Sequence, residues 1–162
     1  MRNKFFMLAL SIAMLASCNK STNSTSNCNY TASTAVASAS EIANLKAYLD
    51  ANALPYTQHP SGIFYKINTQ GAGTTATVCS DVTVKYSGRT TSSTTPFDQN
   101  TTGVTFTLGQ LIAGWQIGIP LIQKGGSIIL YIPPSLGYGS SASGSIPPNS
   151  NLIFNIELIN VQ

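Results

Sequence analysis

The chain of 162 residues carries 8 Lys and Arg against 5 Asp and Glu, a formal charge of +3, and only 8 % of its residues are charged while 43 % are hydrophobic. With no basic stripe, nothing predicts nucleic-acid binding, and a single histidine argues against a Ser-His-Asp triad or a multi-histidine metal site. The length suits one domain with a sizeable core.

Arg2 and Lys4 make a positive start, 5–16 is an apolar stretch, and Leu15-Ala16-Ser17-Cys18 is a small-residue cleavage site ending in cysteine. The stretch is shorter than the roughly 20 residues a spanning helix needs. Leu-Ala-Ser-Cys resembles a bacterial lipobox, which implies that 1–17 is a lipoprotein signal peptide and that Cys18 carries a lipid anchor at a membrane; an ordinary secretory signal is the alternative. Asn19-Lys20 lacks the Asp that retains lipoproteins at an inner membrane, which leans towards the outer membrane. Removal of 1–17 lowers Lys plus Arg from 8 to 6 against 5 acids, a formal charge of +1, so the pI of 8.8 is partly a property of the precursor.

Residues 18–38 are rich in Ser, Thr, Asn and Ala and are predicted to be a flexible tether, because such a segment buries too little apolar area to offset its chain entropy. Of three cysteines, giving Cys18 to lipid leaves Cys28 and Cys79, which an oxidising compartment permits to pair; two separate thiols are the alternative.

A helix and linker fill 39–61. Ser38 and Glu41 form a capping box, Ile42, Leu45 and Leu49 recur at helical spacing, and Pro55 stops the run. The helix is too short for a coiled coil, so it docks on the domain.

The pattern then changes to strands over 62–67 and 82–86, and alternation recurs in Val104, Phe106 and Leu108, in Ile128, Leu130 and Ile132, and in Leu152, Phe154, Ile156 and Leu158. Alternation of this kind means antiparallel sheet buried on one face. Between the third and fourth strands, 112–122 offers one short helix ended or bent by Pro120. The fold class is α+β.

Phe106-Thr107-Leu108-Gly109, Leu111-Ile112-Ala113-Gly114-Trp115, Leu136-Gly137-Tyr138-Gly139, Ile146-Pro147-Pro148-Asn149 and Leu152-Ile153-Phe154-Asn155-Ile156-Glu157-Leu158 stand in one order, preceded by Val82-Thr83-Val84-Lys85-Tyr86-Ser87-Gly88 and Phe97-Asp98. This series resembles the FKBP-type peptidyl-prolyl cis-trans isomerases over 62–162. The resemblance implies an antiparallel half-barrel sheet wrapped around one short helix, here with an N-terminal helical extension.

It also assigns places. Trp115 matches the indole floor of a proline pocket, Tyr86, Phe97 and Phe154 its walls, and Val104 a further apolar wall position. Leu111 and Ile112 match an aliphatic pair at the start of the short helix, where the Ile112 backbone N–H would donate to a peptide carbonyl. Tyr138 offers a phenol donor, Asp98 matches a pocket carboxylate, and Ile146 lies on a flap before two prolines. The implied partners are proline-containing peptides, unfolded exported proteins and FKBP-type macrocyclic ligands, with no cofactor and no metal. A binding module that keeps the pocket as a chaperone or assembly factor, with weak catalysis, is the alternative. A carbohydrate-binding surface lipoprotein would suit the Ser and Thr content but leaves the ordered series unexplained.

The chain departs from the family pattern in a longer turn, Arg89-Thr90-Thr91-Ser92-Ser93-Thr94-Thr95-Pro96, in Gln99-Asn100 after Phe97-Asp98, and in the small flap Ser140-Ser141-Ala142-Ser143-Gly144-Ser145. Gly125-Gly126 and Gly71-Ala72-Gly73 lack the spacing of a phosphate loop and read as hairpin turns.

Overall fold

The structure, a computed structural model, describes residues 28–162; the leader 1–17, Cys18 and the tether as far as 27 lie outside the described residues. After helix α1 (Ala39–Ala51) come strands β1 (Thr57–Gln58), β2 (Phe64–Thr69), β3 (Asp81–Thr90) and β4 (Asp98–Thr107), helix α2 (Ala113–Gly118), and strands β5 (Ser127–Ile132) and β6 (Leu152–Val161). The strands form one antiparallel sheet in the order β1-β2-β5-β6-β3-β4. The last strand is therefore central. It joins β5 to β3, with Leu152 opposite both Ile132 and Thr90.

The alternation becomes two faces. Val82, Val84, Ile128, Leu130, Ile132, Leu152, Phe154, Ile156 and Leu158 share the inner core with Trp115 and Ile119. On the outer face Leu45 and Leu49 of α1 are fully buried against Phe64, Tyr131 and Ile153, so the N-terminal helix covers one end of the sheet. At about 25 cal/mol per Å² of buried apolar area, two leucines contribute a few kcal/mol to this docking.

Several boundaries differ from the sequence expectation. Gly62 is at φ +94° in a turn closed by its N–H to the His59 carbonyl, so β2 starts at Phe64. Strand β3 runs on to Thr90 because β6 pairs along its length, and β4 begins at Asp98, opposite Gly88, well before the alternation at Val104 becomes visible. A register shift between Val84 and Tyr86 lets β4 turn its first half away. The helix expected over 112–122 is α-helical only through Gly118; Ile119–Leu121 is a 3₁₀ turn, since Pro120 has no N–H for a further α-helical bond.

Helix α1 starts as its capping box requires. Ser38 Oγ accepts from the Glu41 N–H at 3.3 Å, and the Ser38 N–H donates to Glu41 Oε2 at 3.0 Å. The same carboxylate reaches the 3₁₀ turn Pro134–Leu136, accepting from the Ser135 N–H at 2.9 Å and its hydroxyl at 2.8 Å. Glu41 thus ties the helix to the turn just before Tyr138.

The described part of the tether, 28–38, has no helix or strand but touches the domain at three points. Cys28 and Cys79 form a disulfide with Cα atoms 5.6 Å apart, Tyr30 packs on Gly109, and the Ala37 N–H donates to the Ser61 carbonyl at 2.9 Å. A loop of 51 residues closed in this way stabilises the fold by about 4 kcal/mol in the chain-entropy model.

Partial burial alone would raise the Glu41 carboxyl, but the hydrogen bonds from Ser38 and Ser135 outweigh it and hold the group below the usual carboxylate range. A depressed folded pKa contributes stability that is present above the unfolded value of about 4.3 and lost as pH falls through the folded value. Glu41→Gln should therefore lower stability at pH 7 and flatten its decline below about pH 4.5 in urea titrations; an unchanged acid limb would mean that Glu41 carries none of it.

Candidate functional site: an aromatic cavity between the short helix and the sheet

Helix α2 sits unusually close to the sheet. Its Gly114 and Gly118, one turn apart, face Ile132 and Leu130 of β5, and a Cβ at Gly114 would come within 2.6 Å of the Ile132 side chain. That approach sinks Trp115, 4 % exposed, into the concave face. Around it stand Tyr86, Phe154 and Phe106, with ring centroids 5.3, 5.2 and 6.4 Å away and planes near perpendicular. Edge-to-face contacts of this geometry contribute about 0.5–1.5 kcal/mol each beyond their burial. The buried Trp115 Nε1 has no hydrogen-bond partner among the described residues, so the floor offers a ligand a face rather than a polar anchor. Gly88 admits this arrangement, because a Cβ there would overlap the Phe154 ring.

The cavity measures about 310 Å³ and is lined by Tyr86, Asp98, Phe106, Gln110, Leu111, Ile112, Trp115, Tyr138 and Phe154. This is the size and character of a small-ligand site: apolar walls with a few polar groups. A groove of similar volume, about 320 Å³, lies where Lys85, Ser87, Asn155 and Glu157 point to the other face of the sheet. It is shallower, and Tyr86 is its single aromatic lining residue, without Trp115, Phe106 or Phe154, so the chemistry belongs to the first.

Its polar groups are arranged around the rim. The Tyr86 hydroxyl donates to Asp98 Oδ2 at 2.5 Å. Burial and this bond push the Tyr86 phenol up to about 12, so it remains a donor throughout the physiological range. Tyr138 is 40 % exposed, and its phenol is raised by burial and by the nearby Asp98 charge, with no hydrogen bond contributing. Its hydroxyl is thus available to a ligand. Ile112 caps α2 with its carbonyl, which accepts from Trp115 and Gln116, while its own N–H donates to no acceptor among the described residues. The segment carrying it is clamped by Gln116, whose Nε2 donates to the carbonyls of Leu111 at 2.7 Å and Gly109 at 3.2 Å.

Of the site residues expected from the sequence, Tyr86, Asp98, Leu111, Ile112, Trp115, Tyr138 and Phe154 line this one cavity. Phe97 does not line it; its ring stands behind, 5.7 Å from Phe154 and 6.3 Å from Tyr138, and borders a smaller cavity under the long β3–β4 turn. Ile146 is buried in the core beside the flap, where its N–H and carbonyl pair with Ser143. Val104 lies opposite Val84 further along β4 and packs against the core, and the wall position falls to Phe106. Phe106 and Gln110 are the lining residues that sequence reasoning missed. Phe106 stood in the alternating strand and could have been found there; Gln110 gave no signal. Among the described residues no three His, Cys, Asp or Glu side chains come together as a metal site.

A family model described as FKBP-type peptidyl-prolyl cis-trans isomerase matches residues 73–159, more than half of the chain. The chain belongs to that family. A probable FKBP-type isomerase of Haemophilus influenzae is 43 % identical over 62 % of this chain, and the FKBP-type isomerase FkpA of Escherichia coli 38 % identical over 63 %. The chain covers only 43 % and 38 % of those relatives' lengths. The crystal structure of Escherichia coli FkpA aligns with a TM-score of 0.69 at 34 % identity, covering 76 % of this chain and 60 % of that one. A peptidyl-prolyl isomerase from Pseudomonas syringae aligns at 0.66 and 27 % identity, covering 80 % and 99 %. The FKBP domain thus accounts for the sheet, α2 and the aromatic cavity, all within the matched span except the end of β6 and the first strands.

Tyr138→Phe removes the unengaged hydroxyl with almost no change of shape. It should weaken proline-peptide binding by about 0.5–1.5 kcal/mol and leave thermal unfolding unchanged, whereas Trp115→Ala should cost about 3–5 kcal/mol of stability. Titration calorimetry beside a melting curve separates the two; equal peptide affinity in Tyr138→Phe would take the hydroxyl out of the site.

Proposed function

We propose that the protein is a peptidyl-prolyl cis-trans isomerase that assists the folding of exported proteins in a bacterial cell envelope. The observation that carries this reading is the aromatic cavity floored by Trp115, with the Tyr138 hydroxyl and the Ile112 N–H unengaged at its rim.

The reaction breaks no covalent bond. Its barrier of about 18–20 kcal/mol comes from the loss of amide resonance as the C–N bond rotates. The twisted amide has less charge separation than the planar one, so a weakly polar, water-poor cavity favours it over the ground state. Trp115, Phe106 and Phe154 provide that surroundings for the pyrrolidine ring. The Tyr138 hydroxyl and the Ile112 N–H can hold the flanking carbonyls while the bond turns, and Gln116 keeps the Leu111–Ile112 backbone from following it. Asp98, held by Tyr86, sets the charge at the mouth. Macrocycles that mimic a twisted prolyl amide would occupy the same space.

The place of action follows from the other end of the chain. The Leu15-Ala16-Ser17-Cys18 sequence supports removal of 1–17, acylation of Cys18 and attachment to a membrane, with the domain in the periplasm or at the cell surface. The Cys28–Cys79 disulfide supports an oxidising compartment. Among the described residues no helix is long and apolar enough to cross a membrane.

Purified protein should accelerate X-Pro isomerisation in an NMR exchange assay, a step that takes tens of seconds or more uncatalysed. Binding of proline peptides without acceleration would support the chaperone reading instead. Cys18→Ser should move the protein from the membrane to the soluble fraction with its fold intact; a mutant that stays in the membrane after a carbonate wash would refute the anchor.

A further inference from the structure

A side chain from outside the FKBP domain reaches one of the residues that line the cavity. Tyr30 packs where a Cβ of Gly109 would be, with its Cβ and Cδ1 at 2.6 and 2.8 Å from that position, and its hydroxyl accepts from Gln110 Nε2 at 2.6 Å. Gln110 lines the cavity and immediately precedes Leu111 and Ile112. Tyr30 is two residues from Cys28, and the strap it reaches is bound to the same place, since the Gly109 N–H donates to the Val78 carbonyl and the Leu108 N–H to the Ser80 carbonyl, either side of Cys79. One disulfide therefore fixes both the tyrosine and the segment it touches. Tyr30 remains 39 % exposed, so its ring lies on the surface beside Gly109 rather than in the core.

We propose that Tyr30, carried by the N-terminal segment and held by the Cys28–Cys79 disulfide, is a positioning residue that sets Gln110 at the rim of the cavity and so governs which residues beside the proline are accepted. The Gln110 amide is a short polar arm at the edge of an otherwise apolar mouth. With Nε2 committed to Tyr30, its carbonyl oxygen has a fixed direction and can receive an N–H of the bound peptide next to the prolyl ring. Without Tyr30 the arm turns freely and that acceptor loses its fixed direction. The covalent link limits how far the tether can carry the ring away, so the order of the rim is held against the entropy of a Ser- and Thr-rich chain. The inference rests on the isomerase reading for its substrate but concerns the rim rather than the floor.

The test uses the mature protein and a series of prolyl peptides that differ in the size of the residues flanking proline, with isomerisation followed by NMR exchange. Tyr30→Phe keeps the ring on Gly109 and loses only the hydroxyl; Gly109→Ala keeps the hydroxyl and displaces the ring. Each should raise KM about two- to fivefold, most for the peptides with large flanking residues, while kcat changes less than about twofold. Gln110→Ala should do the same, and Tyr30→Phe combined with Gln110→Ala should be no worse than Gln110→Ala alone, because both act through one contact. Opening the disulfide with dithiothreitol should reproduce the same rise in KM across the peptide series. Unchanged KM across the peptide series in Tyr30→Phe and Gly109→Ala, or additive losses in the double variant, would overturn the proposal. If the wild type turns nothing over but binds the peptides, the isomerase reading fails and the same ratios are read as Kd from the fluorescence of Trp115, the single tryptophan; equal Kd values there overturn the rim role as well. A wild type that neither turns over nor binds the peptides refutes both.

Discussion

The approach of α2 to β5 is the constraint on which the cavity depends. Gly114 and Gly118 leave no room for a Cβ against Ile132 and Leu130, and only at that spacing does Trp115 reach the floor of the concave face. An alanine at either position would have to push the helix outward or distort the sheet side chains, since well-packed interiors transmit volume changes of one methyl group. The same logic operates at Gly88, where the strand backbone gives its space to Phe154. Small residues on one side and large rings on the other thus form a single packing decision. The aromatic box follows from it.

The polar part of the site is sparse, and each group has one task. Tyr86 is spent on Asp98, Gln116 on the carbonyls of Leu111 and Gly109, and Tyr138 and Ile112 face the opening. Such economy suits a reaction in which no proton, electron or atom changes place. A nucleophile or a general base would have nothing to do in a bond rotation, and what matters instead is a cavity that binds the twisted amide better than the planar one.

The N-terminal extension holds two of the segments that lead into this cavity. Glu41 grips the turn that leads to Tyr138, and Tyr30 reaches the strap that leads to Ile112. Helix α1 meanwhile covers Phe64, Tyr131 and Ile153, which would otherwise leave an apolar patch on the outer face of the sheet. A segment that reads as a tether with a helix appended is therefore part of how the domain is built.

What the sequence determined by itself is local or periodic. The capping box of α1 needs only Ser38 and Glu41 three residues apart, and alternating side chains in β3, β5 and β6 announce which face is buried because the period of a strand is two. The ordered aromatic and glycine series carried the family, and with it the seven residues that the fold brings to one cavity. Tertiary structure alone decided the rest. Strand β4 begins at Asp98 because Gly88 pairs with it across a long turn, Phe97 is turned behind the wall by that same turn, and Phe106 rather than Val104 takes the wall position, with its ring 6.4 Å from that of Trp115. The pairing of Cys28 with Cys79, left open by the cysteine count, depends on two Cα atoms meeting at 5.6 Å across 51 residues. Tyr30 with Gln110 and Glu41 with Ser135 are 80 and 94 residues apart and leave no mark on local pattern or propensity. Contacts of that kind are fixed by where the sheet carries each end of the chain, and a sequence read along its length has no coordinate for that distance.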